Sequence, residues 1–273
     1  MKSKRWVLLF ILILMACTPT ADVMINTAEI EVVGNSRYQA IRLTPPIYNV
    51  ASADLSDILL RDREGVIVPY FIYTSDQDQF IETIYPEFNV EVNDQRTKVT
   101  IAGLKNLRLH DITIETDSMF KRTVVVPGQR VELYNLIFDH REQRQTTITL
   151  QGQAPQGETY GITILDGDDQ PININSIIVR YYAHHVIFEG RAGEIYTMEF
   201  GAHLGRVAPV YDIARYQADI LKAEIDLAQI NEINVVTETI TPLRDYRGLY
   251  NGTIIVVTLI LTAVIVLKLK QKK

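Results

Sequence analysis

The strongest constraint on this chain is an uncharged run near its C-terminus, residues 248–267, which contains the sequence GTIIVVTLILTAVIVL. About twenty residues at 1.5 Å rise per residue match the roughly 30 Å hydrocarbon core of a bilayer. A tail with four lysines, residues 268–273, follows the run, and basic flanks of this kind mark the cytoplasmic side. We therefore predict a transmembrane helix over 248–267 and a basic cytoplasmic tail over 268–273.

The opposite end carries a basic start and an apolar run, residues 6–15, which is too short to span a membrane but suits a secretory signal. The sequence LMAC that follows resembles the lipobox of bacterial leaders, in which an acylated cysteine becomes the new N-terminus. We predict a lipoprotein-type signal peptide over 1–16 and lipid attachment at Cys17, the only cysteine of the chain. Ordinary cleavage nearby, which leaves Cys17 without a role, is the alternative.

Both ends predict the same topology. The leader exports the body of the chain, and the C-terminal run stops its transfer. We expect a single-pass protein of the cell membrane, with an extracytoplasmic body and a cytoplasmic C-terminus.

Composition excludes some classes of function. The chain is 47% apolar and 22% charged, which is ordinary for a globular protein, and its formal net charge is -6. A nucleic-acid binder needs concentrated basic residues to displace counterions, so we expect no nucleic-acid partner. One cysteine cannot form an internal disulfide framework.

The body reads as short runs rich in Val, Ile, Thr and Tyr, with turn residues between them, such as VIVPYFIY and TKVTIAG. Alternation of this kind predicts a mainly β chain with one or two antiparallel β-sandwich modules. We place an N-terminal β module over 23–103 and a second sandwich module over 104–205. After it, the spacing of apolar residues predicts one helix over 211–230, within a juxtamembrane segment, 206–247, that precedes the transmembrane helix.

Several stretches resemble a bacterial family catalogued as domain of unknown function three-nine-nine-nine. They include YQAIRLTPPIYNVASADLSDILLRDREGVIVPYFI, LRLHDITIETDSMFKRTVVV and EIYTMEFGAHLGRVAPVYDIARY, and the resemblance covers residues 37–216. It implies an exported β-sandwich protein, with a discoidin-like or galactose-binding-like second module and a C-terminal membrane helix. The resemblance implies no activity for any residue.

A search for chemistry finds no nucleophile elbow, zinc-binding helix or phosphate loop in the sequence. We therefore predict a protein that is not an enzyme and has no cofactor. His184 and His185 are adjacent, so on a strand they point to opposite faces, and we expect structural roles for both.

Two further groups of residues admit alternatives. Asp166, Asp168 and Asp169 surround Gly167, and they fit either a hairpin turn or a calcium loop. The tyrosines of the strands fit either a platform for sugars or ordinary core positions. The members considered are Tyr70, Tyr73, Tyr181 and Tyr182.

These inferences predict a non-enzymatic, membrane-anchored envelope protein whose extracytoplasmic β region binds a glycan or a protein partner. An accessory subunit or assembly factor of a membrane complex is the first alternative, and it predicts an apolar stripe on the 211–230 helix. A hydrolase of envelope polysaccharide is the second, and it predicts a cleft lined by convergent carboxylates.

Overall fold

The computed structural model describes residues 21–93, 95–139, 141–201 and 208–240. Residues 24–236 form one compact unit, and the two ends of the chain form another, of which only the backbone of 21–23 and 237–240 is described. The predicted signal peptide, Cys17 and the predicted transmembrane helix lie outside the described residues. Within the described ranges, no helix is long and apolar enough to cross a membrane.

The prediction of a mainly β chain is confirmed. Two short helices, α1 (Pro45–Val50) and α2 (Gln217–Ile220), and two 3₁₀ turns, Asp78–Phe80 and Asp212–Tyr216, accompany the strands. The described strands are β1 Ala21–Glu31, β2 Tyr38–Arg42, β3 Leu59–Arg61, β4 Tyr70–Tyr73, β5 Ile81–Ile84, β6 Phe88–Asn93, β7 Arg96–Ala102, β8 Arg108–Glu115, β9 Phe120–Val126, β10 Gln129–Phe138, β11 Arg141–Gln145, β12 Thr147–Gln153, β13 Thr159–Leu165, β14 Ser176–Tyr182, β15 His185–Glu189, β16 Ile195–Phe200 and β17 Ile225–Ile240.

The strands form three sheets. A seven-stranded sheet has the order β3-β16-β1-β17-β2-β15-β4, a six-stranded sheet β11-β10-β9-β13-β7-β6, and a four-stranded sheet β12-β8-β14-β5. The registered pairs are antiparallel except β17, which pairs in parallel with β2 and occupies the centre of the seven-stranded sheet.

The seven-stranded sheet combines two distant parts of the chain, β1–β4 and β15–β17, whereas the other two sheets contain only β5–β14. We call residues 81–182 the inserted region, because the chain leaves the seven-stranded sheet after β4 and returns to it at β15. Strand pairing does not follow the predicted division at residue 103. Strands β5 and β7, which precede it, pair with β14 and β13, which follow it.

Alternating side chains of the inserted region form its core. On β8 and β14 of the four-stranded sheet, residues such as Ile112 and Val179 are fully buried, and on β13 of the six-stranded sheet Ile162 is buried in the same way. These residues and those on one face of the seven-stranded sheet, including Phe188, belong to one continuous hydrophobic cluster. Burial of one face gives the period-two pattern, which is regular in strands of the inserted region such as β7.

The other face of the seven-stranded sheet carries a smaller cluster. Ala40, Phe71 and Ile187 lie on this face, and Ile220 of the helical segment 212–220 packs on them. This segment therefore covers only part of the face, and the rest borders the hollows described below.

The prediction of one helix over 211–230 is wrong beyond residue 220. The chain turns after α2, and from Ile225 it continues as β17, whose residues Ile225–Ala228 pair with β2. Apolar residues at 220, 221 and 225 match helical spacing, but pairing with β2 places the last of them in a strand. Tertiary contacts override local propensity in such a case.

The direction of β1 follows from contacts with its neighbour β17. The side-chain amide of Asn231 donates to Glu29 and Glu31, both at 3.2 Å, and farther along the chain the backbone N–H of Ser36 donates to Asp226 at 2.9 Å. Residues with higher sequence numbers on the β1 side thus contact residues with lower sequence numbers on β17. Strand β1 therefore runs opposite to β17, and the chain enters and leaves the 24–236 unit at the same end of the sheet.

Candidate functional site

A groove of about 590 Å³ lies at one end of β2 and β15, beside the helical segment 212–220. We call it the tyrosine groove, because Tyr38, Tyr211 and Tyr216 line it together with Arg37 and Glu189. Ligand sites in proteins are hollows of about 300–1,000 Å³ with a few convergent polar groups, so its size and lining suit ligand binding.

Strand pairing assembles the groove from residues far apart in the sequence. Tyr38 begins β2 and stands opposite Glu189, the last residue of β15. Tyr211 precedes the 3₁₀ turn, and its ring packs on the buried ring of Tyr70 at 5.3 Å between centroids. Tyr216, at the end of that turn, is 63% exposed and presents its ring to solvent.

The charged part of the tyrosine groove is a two-bond pair. Arg37 donates from Nε to Glu189 Oε1 at 3.0 Å and from Nη2 to Glu189 Oε2 at 3.2 Å. The same guanidinium stands 5.5 Å from the centroid of the Tyr38 ring. These contacts raise the pKa of Arg37, and the hydrogen bond to Glu189 contributes most to the increase. Both partners of the pair remain more than half exposed, so their outer polar atoms are available to a ligand.

A second, more polar hollow of about 620 Å³ adjoins the tyrosine groove and shares the Arg37–Glu189 pair with it. Asp62, Glu64 and Glu194 contribute carboxylates to it. Those carboxylates already have partners in part: Glu194 accepts from the Tyr196 hydroxyl at 2.9 Å, and Asp62 accepts from backbone N–H groups of its own turn. The hollow therefore differs from the opposed free acids of a glycoside hydrolase.

A cluster on the four-stranded sheet was not predicted. Asp111, almost fully buried on β8, accepts two hydrogen bonds from the guanidinium of Arg180 on β14, the one from Nε at 2.9 Å. His110 Nδ1 lies 2.6 Å from the same carboxylate, and its ring meets Tyr182 edge-on. Asp111 holds both partners in fixed orientations, and a local register shift in the β8–β14 pair accompanies the contact.

The two predicted structural histidines take different positions. His184 lies between β14 and β15, where its Nδ1 is 2.9 Å from the Tyr48 hydroxyl and its backbone N–H donates to that hydroxyl at 2.7 Å. Burial, followed by the charge of Arg108, lowers the pKa of His184 to about 4. His185 begins β15 and meets Phe80 edge-on at 5.1 Å.

The aspartates considered for calcium mostly serve a turn. Asp166 is buried and accepts from the Thr97 hydroxyl at 2.7 Å, and Arg122 contacts Asp169 at 2.9 Å. Asp168 accepts from the Gln95 side chain at 3.2 Å. The backbone N–H of Asp169 donates to the carbonyl of Asp166 at 3.2 Å, so the segment is a turn. It is not a hairpin, because β13, which precedes it, pairs with β7 and β9, whereas the next strand, β14, lies in another sheet.

The four tyrosines considered as a platform do not form one. Tyr70 and Tyr181 are buried, with the Tyr70 hydroxyl bonded to the backbone carbonyl of Ile58. Tyr73 and Tyr182 are half-buried and pack on Phe80 and His110. The tyrosines of the groove are different ones, and their only signal in the sequence is Arg37-Tyr38 and the later tyrosine pair at 211 and 216.

Comparison of the chain with protein-family models, with curated proteins and with solved structures gives no match. The resemblance to the domain-of-unknown-function family therefore stays a prediction.

Proposed function

We propose that the protein is a membrane-attached binding protein of the cell envelope, without catalytic turnover, and that its extracytoplasmic β-sandwich region holds an envelope glycan in the tyrosine groove. The observation that carries the proposal is the grouping of Tyr38, Tyr211 and Tyr216 beside the exposed Arg37–Glu189 pair. A protein partner in the same groove is the alternative occupant.

The chemistry of the groove favours sugar over peptide. Aromatic rings pack against the C–H faces of a sugar ring, and a guanidinium and a carboxylate side by side offer donors and acceptors to neighbouring hydroxyls. The Arg37–Glu189 pair is already formed in the free protein, so little ordering accompanies binding. A peptide would instead be expected to add to a sheet edge or to insert an apolar side chain.

Attachment at the membrane fits the path of the chain. The unit begins at Met24 and ends at Val236 at the same end of the seven-stranded sheet. When fully extended, the roughly seven residues between Cys17 and the unit reach at most about 25 Å, and the about twelve residues between the unit and the predicted transmembrane helix reach at most about 40 Å. Lipid at the first end and a helix at the second can thus hold the same end of the unit near one bilayer.

Topology is tested with protease added to intact spheroplasts. We expect digestion of the body and protection of a tag placed after Lys273, and a digested tag with a protected body would contradict the orientation. Mass spectrometry of the mature N-terminus tests Cys17, and an unmodified terminus that begins after this residue excludes acylation.

Binding is tested with the purified full-length protein and envelope polysaccharide, in a co-sedimentation assay with analysis of the supernatant by chromatography. We expect retention of polysaccharide without release of small saccharides. Tyr216→Ala should weaken retention about tenfold, because it removes an exposed stacking ring. Tyr85→Ala is the matched control, since Tyr85 is 72% exposed but lies outside the groove.

Each alternative has its own result in this assay. Time-dependent release of saccharides favours the hydrolase. Neither retention nor release favours the accessory subunit, although its predicted apolar stripe is not free: Ile213, Ile220 and Leu221 pack on the seven-stranded sheet. Capture of defined subunits from solubilised membranes would then identify the complex.

A further inference from the structure

The hairpin formed by β10 and β11 ends in apolar residues that face solvent. Ile137 is 51% exposed and Phe138 is 56% exposed. Met119, which is 59% exposed, lies beside the same end of β10, because the residue after it, Phe120, stands opposite Asn135. We call Met119, Ile137 and Phe138 the apolar tip. Single exposed apolar side chains are common on proteins, but a group of them marks an interaction surface.

Both faces of the hairpin are apolar at this tip. Ile137 and Phe138 are consecutive strand residues, so their side chains point to opposite faces. A protein partner packed on one face of the hairpin would bury only one of them, whereas acyl chains surround an inserted segment and bury both. Arg141, which is exposed and stands opposite Phe138, can reach lipid phosphates while the tip is inserted. These features favour a lipid bilayer as the occupant.

The inserted region extends from the end of the seven-stranded sheet at which the chain enters and leaves the 24–236 unit. Strand β17 runs toward that end in parallel with β2, whereas β15 runs in the opposite direction. Following β15 backward from Glu189 to His185 therefore leads to the same end. Beyond it, the pairing of β15 with β4 continues as the pairing of β14 with β5. Between the two ladders, the backbone N–H of Ala183 donates to the Phe80 carbonyl at 2.8 Å.

The apolar tip lies beyond the far end of the four-stranded sheet. Strand β8 runs away from the seven-stranded sheet and ends at Glu115, which Arg144 of the hairpin contacts at 3.1 Å. Strand β12 runs in the opposite direction, and β11 precedes it with only Thr146 between them. The Thr146 carbonyl accepts from the backbone N–H of Ile114 at 3.0 Å. Following the chain backward from β12 through β11 thus leads past the end of β8 to the tip.

We propose that the apolar tip inserts into the outer surface of the membrane that anchors the chain, a proposal that rests on the membrane attachment proposed above. At about 3.3 Å per residue, β14 and the end of the hairpin extend roughly 40 Å beyond His185. The about twelve residues between the unit and the predicted transmembrane helix reach at most about 40 Å, so they keep the unit close enough for the tip to meet the bilayer. Insertion orients the tyrosine groove, at the opposite end of β2 and β15, away from the membrane.

The test is the fluorescence of a single tryptophan in the full chain, reconstituted into vesicles of phosphatidylethanolamine and phosphatidylglycerol with or without bromine on the acyl chains. All variants carry Trp6→Phe, which removes the only native tryptophan. Phe138→Trp places the reporter at the tip, and Val66→Trp is the matched control. Val66 is 60% exposed and lies in the turn after β3, a strand that runs toward the opposite end of the sheet.

We expect brominated lipid to reduce the emission of Phe138→Trp about twofold, because an interfacial segment lies about 5–10 Å deep and brings the indole next to the acyl chains. The emission of Val66→Trp should not change. Addition of Ile137→Asp to Phe138→Trp should abolish the quenching, since a charge at the tip opposes insertion. Circular dichroism checks that each variant is folded.

Flotation of the protein with the vesicles is measured first, because it separates this proposal from membrane attachment itself. Protein that floats but shows no quenching at position 138, or equal quenching at positions 66 and 138, overturns insertion of the tip and leaves the attachment intact. Protein that does not float contradicts the attachment and the insertion together. A blue shift at position 138 without quenching by brominated lipid means that a second copy of the chain covers the tip, which also overturns the proposal.

Discussion

The inserted region and the seven-stranded sheet are both β structures, yet they differ in what their faces do. In the inserted region two sheets contribute aliphatic side chains such as Ile112 and Ile162 to the core. The seven-stranded sheet has one face in that core and another covered only in part by the helical segment 212–220. The tyrosine groove and the polar hollow beside it both border strands of the seven-stranded sheet. Incomplete cover of a sheet thus leaves hollows at its surface.

The largest expected effect tests whether the two regions share one core. Phe188→Ala, in the seven-stranded sheet, should lower the free energy of unfolding by about 3–5 kcal/mol, because it leaves a large cavity at a fully buried position. Ile162→Ala, in the inserted region, should cost about 2–5 kcal/mol.

Both substitutions should move the same single transition, since the two residues belong to one continuous cluster. Chemical denaturation is followed by far-ultraviolet circular dichroism and tyrosine fluorescence, because the only tryptophan, Trp6, lies in the predicted signal peptide. Two transitions, of which each substitution moves only one, would show that the regions unfold separately.

The next effect compares one buried carboxylate from each region. Asp57 accepts from the backbone N–H groups of Ser52 at 3.0 Å and of Gly201 at 2.9 Å, whereas Asp111 accepts from Arg180, whose side chain is 45% exposed. We expect Asp57→Ala to cost about 3 kcal/mol and Asp111→Ala about 1–2 kcal/mol.

The physical reason is the access of water to the groups left behind. The Arg180 guanidinium can be solvated after the loss of Asp111, but the backbone N–H groups around Asp57 cannot. Equilibrium unfolding of the two variants measures the difference, and an equal or larger cost for Asp111→Ala contradicts this explanation.

The third effect concerns pH at the junction of the two regions. Burial first, and then the charges of Arg108 and of His185, lowers the pKa of His184 from 6.5 to about 4. The unfolded chain therefore binds a proton at a higher pH than the folded chain. Stability should fall as pH decreases from about 6.5 to about 4, by about 1–2 kcal/mol after allowance for partial exposure of the ring.

Denaturation at a series of pH values measures this loss, and His184→Gln should reduce it. His185, whose pKa burial also lowers, contributes in the same direction and leaves a remainder. An undiminished pH dependence in the Gln variant would show that other groups cause it.

The smallest effect on stability is expected at the groove itself. Arg37→Ala removes a pair whose partners are 68% and 55% exposed, and water screens such a pair so strongly that its contribution to stability is small. The same substitution should reduce glycan retention by about tenfold or more. A large loss of stability would mean that Arg37 supports the fold, and unchanged retention would exclude the groove as the binding surface.

Local pattern predicted the strands but not their arrangement. Alternation in stretches such as TKVTIAG identifies strands because each buries one face, and this requires no knowledge of the partner strand. Nothing local indicates that β4 pairs with β15 across the whole inserted region, or that Ile225 continues as a strand beside β2.

The candidate site was missed for the same reason. Tyr38 and Tyr216 stand in one groove only because strand pairing and helix packing join distant parts of the chain. The buried pairs, such as Asp111 with Arg180, are also products of pairing, and each partner alone resembles an ordinary surface charge in the sequence.

The central position of β17 has a consequence for biogenesis. This strand fills the gap between β1 and β2, but it is the last described part of the chain to leave the ribosome. During synthesis, β1 and β2 therefore each keep one open edge until β17 is complete, and open edges of this kind recruit chaperones or other strands. A chain that stops before residue 225 should be removed by proteases, so completion of the central strand acts as a checkpoint for full-length synthesis.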